Sequence, residues 1–133
     1  DSRIDACVSA ARVLRRAPDS LRLLVSSFDP WMLLAFGAMC PHLPTAALLH
    51  SDGRRYQLGH IMPRLGVRII NAERTFVTSE WLERWHQRGL LVICWTVNEP
   101  SEIGRLHTLG VDGFICDDPA AARRVLDTLP PRS

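Results

Sequence analysis

At 133 residues the chain fits one domain, and its 47% hydrophobic and 23% charged content is that of an ordinary globular protein able to bury a core. All sixteen basic residues are Arg, but they are dispersed and fourteen acids nearly cancel them, leaving a net charge of +2 and no aromatic-interleaved basic stripe. Nucleic-acid binding is therefore not expected, and biased codon usage accounts for the arginines. No apolar run approaches the roughly 18 to 20 residues of a membrane span, and DSRIDACVSAARVLRR lacks the apolar stretch of a secretory signal. Because the chain opens on Asp1 rather than Met, targeting is only weakly bounded, and a cytoplasmic location is the expectation.

In chain order, Ile4, Cys7, Ala11 and Leu14 recur at helical spacing and predict an amphipathic helix ending near Pro18. LRLLVSSF, Leu21 to Phe28, reads as a buried strand. Asp29 caps the next helix, Pro30 suits its first turn, and the helix runs to Pro41. A short strand at Ala46 to Leu49 leads into HSDGRRYQLGH, which has no period and reads as a loop, before a strand at Val67 to Ile70. Thr78 caps a helix bearing Trp81, Leu82 and Trp85, with Gly89 placed for a left-handed cap. LLVICWTV, Leu90 to Val97, is the clearest strand. Ile103, Leu106 and Leu109 mark the following helix, which Gly110 closes; GFIC, Gly113 to Cys116, is the last strand, and Pro119 opens a final helix with Val125, Leu126 and Leu129. Strands alternating with amphipathic helices predict an α/β domain with parallel strands.

Three strands end alike: SSFDP, TVNEP and ICDDP each pass from strand through polar or acidic residues to a helix-opening proline. Parallel pairing places all three endings on the carboxyl edge, where α/β barrels and open sheets hold ligands. Trp95 lies there, flanked by Thr96 and Asn98 on the polar side and by Cys94 and Val97, which suit a packed interior. Two readings stand: a core tryptophan, or an aromatic wall around a ligand. Asp29, Glu99, Asp117 and Asp118 gather at the same edge; acid–base or magnesium chemistry is one use for them, but their places at helix starts favour capping.

Cys7, Cys40, Cys94 and Cys116 form no C-x-x-C pair; Cys94 and Cys116 sit in apolar runs and read as small hydrophobes, from which a reducing compartment follows. The five histidines lack zinc-site spacing; His86 and His107 fall on helices facing outward, while His50 and His60 flank the long loop and are candidate ligand contacts. No G-x-S-x-G elbow or glycine-rich phosphate loop is present, and Ser26 and Ser27 are read as packing and capping residues.

LLVICWTVNEPSEIGRLHTLGVDGFICDDPAAARRVL, Leu90 to Leu126, resembles the carboxyl end of the glycerophosphodiester phosphodiesterase family. Trp95, Thr96, Val97 and Asn98 match the family's W-T-V-N strand, and Gly110, Val111, Asp112, Gly113, Ile115, Asp117 and Pro119 match its G-V-D-G-I-I-T-D-x-P strand. Phe114 and Cys116 depart from the usual aliphatic residue and threonine. LVSSFDPWML, PTAALL and VRIINAERTFVTSEWLERWHQRGLLV extend the likeness over nearly the whole chain.

The resemblance implies one unit over residues 1–133, the carboxyl part of a (β/α)8 TIM barrel, hence a partial barrel without a second domain; a complete barrel takes about 250 residues. The family's two histidines and metal-holding carboxylates belong to its amino-terminal half, and no H-R-G, E-x-D, H-D or I-E-x-K strand motif is found here. HQRG, His86 to Gly89, and AERT, Ala72 to Thr75, only mimic such motifs. For the complete enzyme the resemblance implies hydrolysis of glycerophosphodiesters to glycerol 3-phosphate and an alcohol with divalent magnesium or calcium, and no cofactor for this chain alone. It assigns substrate contacts to Phe28, Trp95 and Asn98, and points the helix starts near Pro30, Pro100 and Pro119 at a phosphate. The implied partners are the diester, and either a missing amino-terminal half or a second copy, docked on an interior face drawn from Val25, Val92, Cys94 and Ile115. The alternative is a non-catalytic half-barrel that acts through association.

Overall fold

In the computed structural model, which describes residues 2–50 and 61–131, five strands pair in chain order and all in parallel. The elements run α1 (Ser2–Leu14), β1 (Val25–Ser27), α2 (Pro30–Met39), β2 (Thr45–Leu49), β3 (Ile69–Glu73), α3 (Ser79–His86), β4 (Leu91–Trp95), α4 (Pro100–Leu109), β5 (Gly113–Phe114) and α5 (Pro119–Thr128). Sequential parallel order with a helix between most strands is the progression of a barrel wall, as the alternation in the sequence predicts. HSDGRRYQLGH falls largely outside the described residues, as does His60.

Local chemistry sets the helix starts. The Asp29 carboxylate accepts the Trp31 N–H at 2.9 Å, Thr78 accepts from Trp81 at 3.3 Å, and Asp118 accepts from Ala121 at 2.9 Å, each satisfying an otherwise orphaned donor. Ser27 joins the first of these turns by accepting the Asp29 N–H at 3.0 Å. Gly110, at φ 95°, stops α4 in the left-handed conformation that a side chain disfavours.

The strands differ from their sequence limits for identifiable reasons. β1 is three residues rather than eight because only Val25, Ser26 and Ser27 find partners on β2; Leu21 and Leu24 are exposed before it. β3 begins and ends later than Val67–Ile70. Val67 is spent bonding Met62 at the close of a 3-10 turn (Met62–Leu65), and the polar Asn71 and Glu73 are carried as strand by pairing with Ile93 and Trp95. β5 is two residues, although Ile115 prolongs it by donating to the Cys94 carbonyl and accepting from the Val97 amide.

Alternation divides the sheet into two faces. Ala47, Leu49, Ile70, Ala72, Val92 and Cys94 point to the helices and pack with Leu82, Trp85, Ile103 and Leu106 in the main core. Cys7, Ala11, Phe36 and Cys40 form a smaller core between α1 and α2, against which Val25 packs. The expected inward set is thereby corrected: Val92 and Cys94 belong to the helix-facing core and Val25 to the smaller one, and of the four only Ile115 lies on the other face. That open face carries Leu48, Ile69, Asn71, Leu91, Ile93, Trp95 and Ile115, with Leu91 51% and Ile115 43% exposed. A groove of about 590 Å³ lined by Phe114, Cys116, Ala122 and Leu126 flanks the outer edge of β5.

Asp112, in the G-V-D-G motif, ties three elements. Its Oδ2 accepts the Val92 N–H at 2.8 Å and meets His86 Nε2 at 2.8 Å, while its own N–H donates to the Val92 carbonyl at 2.8 Å. Thus the outward-facing His86 is engaged with a neighbouring loop. His107 Nε2 likewise lies 3.0 Å from the Pro130 carbonyl, fastening the segment that follows α5 to α4.

Replacing Asp112 with Ala is expected to cost about 1–3 kcal/mol, since a partly buried amide loses its acceptor. Glu80→Ala, which breaks the exposed Glu80–Arg84 pair, is expected to stay within about 0.5 kcal/mol. Urea unfolding of both variants measures the contrast; equal, small effects would refute the clamp. The open face and the sheet edges at β1 and β5 predict that the chain self-associates, because unpaired strand edges and contiguous apolar surface template further pairing. Light scattering on a dilute sample checks this, and a cooperative, non-aggregating monomer contradicts it.

Candidate functional site

The carboxyl ends of β1 to β4 bring Phe28, His50, Glu73 and Trp95 to one edge. Trp95 is the last residue of β4, and the Trp95–Thr96 peptide is cis. Its indole Nε1 donates to the Asn71 carbonyl on β3 at 2.8 Å, laying the half-buried ring back across the neighbouring strand. Phe28 meets it edge to face, with ring centroids 6.1 Å apart and planes at 81°; His50 lies 5.9 Å away with its plane tilted by 42°. Such a T-shaped arrangement matches the positive edge of one ring to the negative face of the other. The indole's polar edge is packed against β3, and the half-buried ring lies at the carboxyl edge of the sheet.

Beneath it, Asn71 is 2% exposed, and its side-chain Oδ1 is buried without a hydrogen-bond partner among the described residues. A buried acceptor in that condition is rare and costly. It sits on the open face, between Leu48 and Ile93 in register.

Asn98 occupies a different part of the edge. Its Nδ2 donates to Asp117 Oδ2 at 2.7 Å and its Oδ1 accepts the Asp117 N–H at 2.9 Å, so both ends of the amide join the loop after β4 to the loop after β5. Asp29, Asp117 and Asp118 at the edge are engaged as well, whereas Glu99 at the start of α4 makes no side-chain capping bond, contrary to the expectation for it. Asp29 caps α2 and meets Arg3 at 3.1 Å; the Trp31 N–H foremost, then Arg3, holds its carboxyl below the usual aspartate range. Asp118 caps α5, and Glu73 accepts from Thr75 through both its N–H and hydroxyl, closing a 3-10 turn (Arg74–Phe76). With carboxylates already at the starts of α2 and α5, those helix ends are poor receptors for a phosphate, contrary to the expectation for Pro30 and Pro119.

The loop after β3 is braced from α4. Arg105 grips Glu102 through Nε and a terminal nitrogen, each at 3.1 Å, and donates to the Arg74 carbonyl at 3.0 Å. The Arg105 hydrogen bonds hold Glu102 below the usual glutamate range, and Glu102 in turn raises Arg105. Cysteine chemistry has no support here: burial pushes the Cys94 thiol up to about 12 and raises Cys7, with Cys40 adding to the latter. Among the described residues no group of three or more His, Cys, Asp or Glu side chains is placed to hold a metal ion. No helix among them is long and apolar enough to cross a membrane.

Sequence reasoning placed Phe28 and Trp95 correctly at one edge and named His50 as a possible contact without joining it to them. It missed Asn71, whose polar side chain made the strand seem to end before it. The signal was the spacing of Asn71 and Glu73, two apart and on one face if the strand continued.

Comparison with known proteins bears on this arrangement. Residues 4–121 match the model of the glycerophosphoryl diester phosphodiesterase family. A glycerophosphodiester phosphodiesterase of Caldanaerobacter subterraneus is 29% identical over 103 residues, covering 74% of this chain and 40% of the relative. A Silicibacter pomeroyi crystal structure assigned to the glycerophosphoryl diester phosphodiesterases superposes with a TM-score of 0.82 at 31% identity, covering 94% of this chain and 44% of that one. An Oleispira antarctica phosphodiesterase in complex with the product sn-glycerol-3-phosphate shares the fold, with a TM-score of 0.81 at 21% identity, over 92% of this chain and 49% of that one. The chain thus spans less than half the length of these relatives. With a parallel barrel wall, the W-T-V-N strand end and the G-V-D-G clamp in place, the chain belongs to the glycerophosphoryl diester phosphodiesterase family.

Proposed function

We propose that this chain forms the substrate-facing wall of a metal-dependent phosphodiesterase that uses water to split a glycerophosphodiester into glycerol 3-phosphate and an alcohol. The observation that carries the reading is Trp95: its ring is anchored to β3 and joined by Phe28 at the carboxyl edge of the sheet, the edge where barrel enzymes bind substrate. An aromatic wall so held contributes by positioning the diester and excluding water from one side of it, since a fixed geometry removes much of the entropic cost of the reactive approach.

The described residues do not fit the divalent ion that the family implies. Asp29, Asp117 and Asp118 are each committed to a loop or helix start, and no cluster of ligands forms. The metal, acid and base are accordingly assigned to another part of the complete enzyme, and the isolated chain to binding. Asn98 enters this reading as the residue that holds the β4 and β5 loops together beside the wall.

A second reading, a non-catalytic half-barrel that acts by association, is favoured by one observation. Leu91 and Ile115 lie exposed on the open face, apolar surface that a docked half-barrel or a second copy would cover.

The isolated chain is expected to give no EDTA-sensitive turnover of glycerophosphocholine with magnesium or calcium; turnover retained through repurification would overturn the assignment. Mixed with the amino-terminal part of a family relative, it is expected to restore turnover, whereas tight binding without turnover selects the second reading. In the restored enzyme, Trp95→Ala should lower kcat/KM about tenfold or more, equivalent to about 1.4 kcal/mol or more of transition-state stabilisation. It should destabilise the fold by less than the roughly 3–5 kcal/mol of a core aromatic. A large stability loss with unchanged kinetics would make Trp95 a packing residue.

A further inference from the structure

We propose that the amino edge of the sheet, the end opposite the one that carries Trp95, docks on an anionic lipid surface. The arginines are dispersed in the sequence, but parallel strands begin at one end, so the segments leading into β1, β2 and β3 are neighbours. Segment 15–24 brings Arg15, Arg16 and Arg22 to that end, and segment 61–68 brings Arg64 and Arg68; Arg12 joins them from the last turn of α1. Against these six stands one acid, Asp19, and segment 40–44 has none. By sequence, residues 51–60 add two arginines and one aspartate, which keeps the sign.

Helix ends account for only part of this charge. A basic side chain beside the last carbonyls of a helix offsets its dipole, and Arg15 does so by donating to the Met39 carbonyl at the end of α2. The side chains of Arg12, Arg16, Arg22, Arg64 and Arg68 are exposed and make no hydrogen bond or ion pair among the described residues. Arg12, Arg15 and Arg16 line one pocket of about 260 Å³ with Met39, and none of the described residues lining it is acidic. Guanidiniums gathered in this way repel one another. A lipid phosphate supplies the missing counter-charge and suits the guanidinium fork.

The side chains among the arginines favour lipid over nucleic acid. Val13, Leu21 and Ile61 are 69%, 56% and 41% exposed at this end, aliphatic groups suited to the boundary between headgroups and acyl chains. Segments 15–24, 40–44 and 61–68 contain no Phe, Tyr or Trp on which a base could stack. Beside Arg68 and His42, Pro41, Leu43, Pro44 and Leu65 wall a further groove of about 570 Å³, so apolar surface and positive charge adjoin there too. Because this face lies at the strand starts, its use does not depend on the reading of the carboxyl edge.

The test is flotation of the full chain with vesicles, which leaves self-associated protein behind, using phosphatidylcholine alone and phosphatidylcholine mixed with phosphatidylglycerol. The chain is expected to float with the mixed vesicles only and to be released by salt. Arg16→Gln with Arg22→Gln, and Arg64→Gln with Arg68→Gln, should each weaken binding about tenfold or more, at about fivefold per arginine near an anionic surface. Arg123→Gln with Arg124→Gln removes the same charge from α5 and should leave binding within about twofold, because the attraction acts only close to the surface. An unchanged thermal midpoint shows that each variant is folded. Equal flotation with phosphatidylcholine alone, or binding that the amino-edge variants leave unchanged, overturns the proposal in favour of adsorption through apolar surface. An equal loss in all three double variants overturns it in favour of net charge. Absence of flotation also overturns it, and a gel shift of duplex DNA or single-stranded RNA that the amino-edge variants abolish then identifies a nucleic-acid face instead. In each case the substrate-facing reading of Trp95 stands, since it concerns the other edge.

Discussion

The arrangement at the carboxyl edge depends on the register between β3 and β4. Five residue pairs, from Ile69 with Leu91 to Glu73 with Trp95, hold the two strands in parallel. A shift of one residue would send every side chain of β4 to the opposite face. Val92 and Cys94 would then leave the helix-facing core, and Trp95 would lose both its bond to the Asn71 carbonyl and its contact with Phe28. The pairing thus serves packing and site at once.

The register is held at both ends. At the start of β4, Asp112 binds the Val92 amide and His86, so the beginnings of β4 and β5 and the end of α3 move as one piece. Past the strand ends, Asn98 and Asp117 exchange two hydrogen bonds, and Arg105 with Glu102 braces the loop after β3. These polar ties lie in and beside the family motifs. Several motif residues accordingly serve to fix the loops around the aromatic wall, and a match to the motif alone does not separate a substrate contact from a residue that positions one.

The two faces of the sheet are unequal in a way that connects structure to function. The helix side is closed by aliphatic and aromatic packing around Trp85, Ile103 and Leu106, all at most 1% exposed. The other side keeps Leu91 and Ile115 exposed and contains the buried Asn71 acceptor, which has no hydrogen-bond partner among the described residues. In a barrel wall this second side faces the interior, where side chains of other strands interleave. The carboxyl edge that carries Phe28 and Trp95 lies along the rim of this face.

What the sequence determined by itself was local. Helix starts at Asp29, Thr78 and Asp118, the stop at Gly110 and the alternation of strand with helix follow from capping, backbone freedom and hydrophobic period, which act within a few residues. The three like strand endings also placed Phe28 and Trp95 on one edge, because parallel strands share a direction. Only the tertiary structure decided which face each strand residue takes, that β3 runs on through Asn71 and Glu73, and that Asn98 clamps Asp117. It alone brought Phe28, His50 and Trp95 into a single corner. Those outcomes are set by pairing between strands far apart in the chain: the polar residues of β3 are held as strand by the ladder to β4 despite their own weak strand preference, and ring-to-ring distances come from register and pleat, which no short window of sequence contains.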